Sequence, residues 1–264
     1  MTTVPAIPRP RPPSESRHDS PPRAASVLAV TARPGQESAD LGGLLYAFRR
    51  SGASLSLLSL TRGEAAGQNS GNARLEAVRP WETQLAASIL GIREVGVASY
   101  RDGELHEYPT AELAERIVRA IRERSADMLL VVAPEAGDRA DTAVALAAQA
   151  AAAAAGVSAV ASTRRGSRGA WTLDLGADTE TARAIQRSAA AAHASQSEAL
   201  PALIRRLDLL GSAETLRWLP LPQPIPRQPI LANRDRGHPD LTSASRAFRN
   251  RRSGLVPASA AASS

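Results

Sequence analysis

The stretch Ser26–Gly52, S-V-L-A-V-T-A-R-P-G-Q-E-S-A-D-L-G-G-L-L-Y-A-F-R-R-S-G, decides the fold. Its opening run, Ser26 to Ala32, is apolar at almost every position and of strand length, which suits a strand covered on both faces. From Ser38 to Gly52 the apolar residues recur at helical spacing. A strand, a short polar loop and a helix in that order form the first half of a crossover unit.

The same alternation continues outward. Apolar runs at Leu55–Leu60, Val95–Tyr100, Asp127–Ala133, Val157–Ser162 and Ala170–Leu175 read as strands. Helical periods fall at Ala73–Leu90, Thr110–Ser125, Thr142–Ala155, Thr179–Ser195 and Leu200–Leu210. Strands joined through helices require crossover connections, so the sheet is expected to be largely parallel. The fold class is α/β: a three-layer, Rossmann-like domain with helices on both faces, spanning residues 26–218.

On either side the composition changes. Residues 1–25 and 219–264 are rich in Pro and Arg and read as disordered tails, with Pro220–Pro229 an extended connector. All 32 basic side chains are Arg, and the net charge of +6 resides in these ends, +2 and +5, leaving −1 for residues 26–218. The sequence pI near 10.9 therefore does not describe a basic domain. Nucleic acid is not an expected partner beyond weak, salt-sensitive contact by the tails. A scaffold whose Arg-rich tails meet partners is a third functional class. Without cysteine there is no disulfide and no thiolate zinc site. The N-terminus lacks the apolar core of a secretory signal and no run suits a membrane span, so a cytoplasmic location with no membrane partner is expected.

In open parallel sheets, ligands bind beyond the carboxyl ends of the strands. The loops concerned are Arg33–Ser38, Arg62–Asn72, Arg101–Glu107 and Pro134–Asp141. The first lacks the G-x-G-x-x-G of dinucleotide sites, and a chain without Lys has no Walker loop. Arg165-Gly166-Ser167-Arg168-Gly169 lacks the first glycine of a nucleophile elbow and precedes a strand.

These loops carry a resemblance. Val27–Ala32 followed by R-P-G-Q-E-S and Leu41-Gly42-Gly43-Leu44 resembles the opening of the LmbE-like, PIG-L-type de-N-acetylases, A-H-P-D-D-E-S and a G-G-x-L helix. Thr61-Arg62-Gly63-Glu64-Ala65 is similar to the family's T-x-G-E-A-G loop, and Arg79-Pro80-Trp81-Glu82 to its R-x-x-E helix. Tyr100-Arg101-Asp102-Gly103 is similar to its Y-x-D-G loop, and Ala192-His193-Ala194-Ser195-Gln196 to its A-H-x-S-Q helix end.

The resemblance implies zinc held by the His and second Asp of the opening motif and by a later His, with the first Asp as general base. Position by position, the metal-binding His falls on Arg33, the base on Gly35, the ligand Asp on Gln36 and the third ligand on Asp141. Arg keeps its proton and has no lone pair for a cation, and Gln offers a neutral oxygen. One carboxylate is not a zinc site, so no metal and no cofactor are expected. Arg33 and Asp141 are expected to pair in the vacated position.

The function expected is that of a deacetylase-like protein without zinc and without catalysis, binding a sugar-like small molecule or acting as a regulator. The cleft would be lined by Arg33, Gln36 and Glu37, by Arg62 and Glu64, and by Arg79, Asp102 and Asp141. The alternative is a hydrolase of N-acetylglucosaminyl amides with a relocated metal or none, in which Glu37, Asp138 and Asp141 are the candidate catalytic carboxylates. Plainer roles stand beside these: Glu37 as a first-turn carboxylate, Arg79 and Glu82 as a surface i,i+3 pair, Asp102-Gly103 as a turn. His193 is expected to pack or cap a helix end.

Overall fold

In chain order, the computed structural model has β1 (Arg17–His18), β2 (Ser26–Thr31), α1 (Gln36–Ala39), α2 (Gly42–Arg50), β3 (Ser54–Thr61), α3 (Ala73–Leu90) and β4 (Glu94–Tyr100). There follow α4 (Thr110–Arg124), β5 (Met128–Val132), α5 (Arg139–Ala155), β6 (Ser158–Ser162), β7 (Trp171–Asp174), α6 (Thr179–Ala191), α7 (Leu200–Asp208) and β8 (Ala213–Trp218). The structure describes residues 17–65, 73–134, 137–162, 170–196 and 200–220. Arg165–Gly169, the Pro-rich connector after Pro220 and the C-terminal tail lie outside them.

Among the described residues the sheet has eight strands in the order β1-β7-β8-β6-β5-β2-β3-β4. From β4 to β6 every pairing is parallel, as the crossover argument requires. Alternate residues of the central β2 enter opposite cores. Val27 and Ala29 pack with α2, α3 and α6, whereas Leu28 and Val30 pack with α4 and α5. On α4 the buried residues Leu113, Ala114, Ile117, Ala120 and Ile121 form the single apolar stripe of a helix lying on a sheet.

Three features depart from the sequence reading. The expected helix Ser38–Gly52 is two helices, broken at Asp40–Leu41 just before the helix-weakening pair Gly42-Gly43. β8 was not anticipated: A-E-T-L-R-W carries two charges, and it enters the sheet between β6 and β7, antiparallel to both. Arg17 and His18, expected in the N-terminal tail, form β1 against Thr172 and Leu173. His18 stacks on Trp171 at 3.5 Å, and Asp127 accepts hydrogen bonds from the backbone N–H groups of Ala25 and Ser26. The ordered fold therefore begins before Ser26. No helix among the described residues is long and apolar enough to cross a membrane.

Candidate functional site

β2 and β5 are neighbours whose following helices cover opposite faces of the sheet, so their carboxyl ends open the crevice where ligands bind in such folds. Residues of both following loops meet there. Gln36, 5% exposed, accepts hydrogen bonds at Oε1 from the N–H groups of Ala32 and Arg33 at 2.9 and 3.2 Å. Its Nε2 donates to Asp141 Oδ1 at 2.8 Å. Gly35, the N-cap of α1, stands at φ 97°, a backbone conformation that favours glycine.

The expected pairing of Arg33 with Asp141 is not what forms. Arg33 pairs with Asp138, Nη2 to Oδ2 at 3.5 Å. The reason is the start of α5, three residues earlier than the apolar periodicity indicates: Asp138 is its N-cap, accepting from the Asp141 N–H at 2.9 Å. Asp138 is thereby left part-exposed beside Arg33, while Asp141 is a buried first-turn residue already held by Gln36.

Burial pushes the Asp141 carboxyl up to about 6, against the opposing effect of the Gln36 hydrogen bond. The folded chain then holds a proton that the unfolded chain releases above the ordinary 3.8. This contribution to stability is complete below pH 3.8 and is lost as the pH rises through about 6. Thermal melts are expected to show Tm falling across that window, with Asp141→Asn flattening part of the fall. Burial also raises Glu214, so some slope of the same sign should persist. An identical slope in wild type and variant would refute the assignment.

Glu37 is a first-turn carboxylate of α1, and it is fully buried. One oxygen lies 2.5 Å from His193 Nε2 and 3.0 Å from the donating Ser38 hydroxyl, and the other accepts from the Gly35 N–H at 2.8 Å. His193 is 3% exposed, and its Nδ1 has no hydrogen-bond partner among the described residues. This link, 156 residues apart in the chain, ties α1 to the end of α6.

Arg79 and Glu82 are also buried rather than a surface pair. Glu82 accepts from both the backbone N–H and the hydroxyl of Ser195, at 2.7 and 2.6 Å, fastening α3 beside His193. Asp102 and Glu64 form a reciprocal clamp between two loops: Asp102 N–H donates to Glu64 at 2.9 Å, and Ala65 N–H donates to Asp102 at 3.1 Å. Arg62 is exposed.

A cavity of about 160 Å³ opens here, with Arg33, Gly35, Gln36, His193, Leu200 and Leu203 in its wall. Of the residues expected to line a cleft, Arg33 and Gln36 do so. Glu37 and Asp141 are buried and hydrogen-bonded to wall residues, Arg79 is buried in α3, and Glu64 and Asp102 hold two loops together; the candidate carboxylate Asp138 is part-exposed against Arg33. His193, Leu200 and Leu203 were not anticipated as wall residues; the A-H-x-S-Q string was the available signal for the first. Among the described residues no group of three or more His, Asp or Glu side chains could hold a metal ion.

Residues 28–155 match the family PIG-L: GlcNAc-PI de-N-acetylase. No curated protein matches the chain. Among solved structures, the N,N'-diacetylchitobiose deacetylase of Pyrococcus horikoshii is 16% identical, over 75% of this chain and 84% of that one, with a TM-score of 0.58. A conserved protein of Thermus thermophilus is 19% identical, over 76% and 98%, with a TM-score of 0.57. The 4-carboxy-2-hydroxymuconate hydratase of Pseudomonas putida is 18% identical, over 76% and 98%, with a TM-score of 0.55. At such identities these likenesses show a shared α/β fold, carried by proteins named for different reactions.

Proposed function

We propose, from the premise that residues 28–155 belong to the PIG-L family, that this chain is a member without zinc and without deacetylase activity, binding a sugar-like small molecule or acting as a regulator. The observation that carries this reading is the orientation of Gln36. Its amide nitrogen faces Asp141, and its oxygen is taken by two backbone N–H groups. Asp141 is then the one carboxylate at the family's ligand positions, beside the cationic Arg33. A zinc site needs about three protein ligands together with water or substrate, so this donor set does not fit the ion.

Zinc, where bound, lowers the pKa of its water from about 15.7 towards 7, and nothing at these positions replaces that effect. Gly35 carries no side chain with which to take a proton, and its positive φ disfavours a carboxylate there. General-base catalysis, worth roughly 10² to 10⁴ in rate, is lost with it.

Elemental analysis of the purified full chain, with an acetate-release assay on N-acetylglucosaminyl substrates, tests the proposal. Zinc well below one per chain and no acetate are expected. Stoichiometric zinc with turnover abolished by Asp141→Ala would overturn it and restore the hydrolase.

A further inference from the structure

We propose that the cavity at Arg33 binds a small aliphatic carboxylate, its charged head held by the Arg33 guanidinium and His193 Nδ1 and its tail by Leu200 and Leu203. The inference rests on the zinc-less reading above, because it requires a guanidinium where the family places a metal ligand. It does not depend on the ligand being sugar-like.

The charges of the wall point to this ligand class. Arg33 and His193 are the ionisable side chains among the residues that line the cavity. The neighbouring carboxylates are engaged elsewhere: Glu37 by Gly35, Ser38 and His193, Asp141 by Gln36 and Asp138 by the start of α5. Among the described residues, then, no carboxylate side chain lines the wall. Arg33 does meet Asp138, but at 3.5 Å and part-exposed, and a guanidinium has five N–H donors. Ample donors remain for a second carboxylate in the planar geometry that arginine favours.

His193 is the independent observation. A buried polar atom is nearly always hydrogen-bonded, yet Nδ1 lacks a partner among the described residues while Nε2 is occupied by Glu37. With the ring held by that bond, Nδ1 is the atom left for a ligand, and where both ring nitrogens carry hydrogen, Nε2 donates to Glu37 and Nδ1 to a carboxylate oxygen. The rest of the wall includes Ala39, Ala190, Leu200 and Leu203. Its volume of about 160 Å³ is below the roughly 300–1,000 Å³ of drug-sized pockets, which limits the tail to a few carbons.

Isothermal titration of the full chain with butanoate, butanamide and N-acetylglucosamine tests the proposal. Butanoate is expected to bind at least about tenfold tighter than butanamide, the preference one charge-assisted hydrogen bond confers. Arg33→Gln should remove the preference and Leu203→Ala should weaken butanoate. Equal binding of the two, no binding of butanoate, or a preference surviving Arg33→Gln would each overturn it. If Arg33→Gln does not fold, wild-type NMR decides: contacts between the butanoate methyl and the Leu200 and Leu203 methyls are expected, and their absence overturns the site. N-acetylglucosamine binding with butanoate silent would sink this inference alone. Stoichiometric zinc would remove the proposed function and this inference with it.

Discussion

Gly43→Ala is expected to cost the fold about 3–5 kcal/mol, the usual penalty for breaking a buried ion pair. A Cβ at Gly43 would overlap Glu214 Oε1 outright and lie 2.7 Å from Arg183 Nη1. Neither group is free to step aside. The Arg183 side chain is 3% exposed, its Nη1 is 2.5 Å from Glu214 and 2.7 Å from Gln186 Oε1, and its Nη2 donates to the Gly211 carbonyl at 2.8 Å. Gln186 in turn donates to the Ser38 carbonyl at 2.9 Å, so displacement would reach α1 and the loop that carries Gln36. Gly211→Ala is the control: a Cβ there meets nothing within 4 Å. Urea unfolding should show a large loss of midpoint for the first substitution and almost none for the second. Equal midpoints would mean that the Arg183 cluster yields easily and contributes little.

The central sheet was legible because β2, β3 and β5 are covered on both faces: β2 and β5 read as near-continuous apolar runs, and β3 as a leucine run broken only by the buried Ser56 and Ser59. β8 was not. Leu216 is buried, but Arg217 and Trp218 at its outer end are exposed, so no run marks the strand. The replacements at Arg33, Gly35 and Gln36 were legible through the resemblance to the A-H-P-D-D-E-S opening, which implies the chemistry they would remove. The partner of Arg33 was not, because choosing between Asp138 and Asp141 needs the first turn of α5 to within one residue, and the N-cap hydrogen bond sets it. His193 and Glu37 lie too far apart in sequence for any periodicity to join them. A histidine at the end of an Ala-rich helix looks the same whether it packs, caps or borders a cavity.

Arg33→His combined with Gln36→Asp is expected to confer zinc binding without restoring hydrolysis. The first substitution removes a fixed positive charge and supplies an imidazole. The second replaces a neutral amide, now 2.8 Å from Asp141, by a carboxylate one methylene shorter. Shortening opens a gap between the two groups, and an ion with ligand distances of about 2.0–2.2 Å needs such a gap. Together with Asp141 the donor set becomes one imidazole and two carboxylates, three protein ligands with a fourth position open. Without metal the variant should be less stable than wild type, since two close carboxylates repel. Zinc should then raise its Tm, by an amount corresponding to about 2.7 kcal/mol when the free ion stands at 100 times Kd, and leave wild type unmoved. Acetate release should stay absent, because Gly35 still offers no base and its φ of 97° resists installing one. Two results would count against this view of the site: a zinc-induced rise in Tm for the wild-type chain, or turnover in the double variant with Gly35 unchanged. The first would place a metal where Arg33 now stands, and the second would assign proton transfer to a group other than the one at position 35.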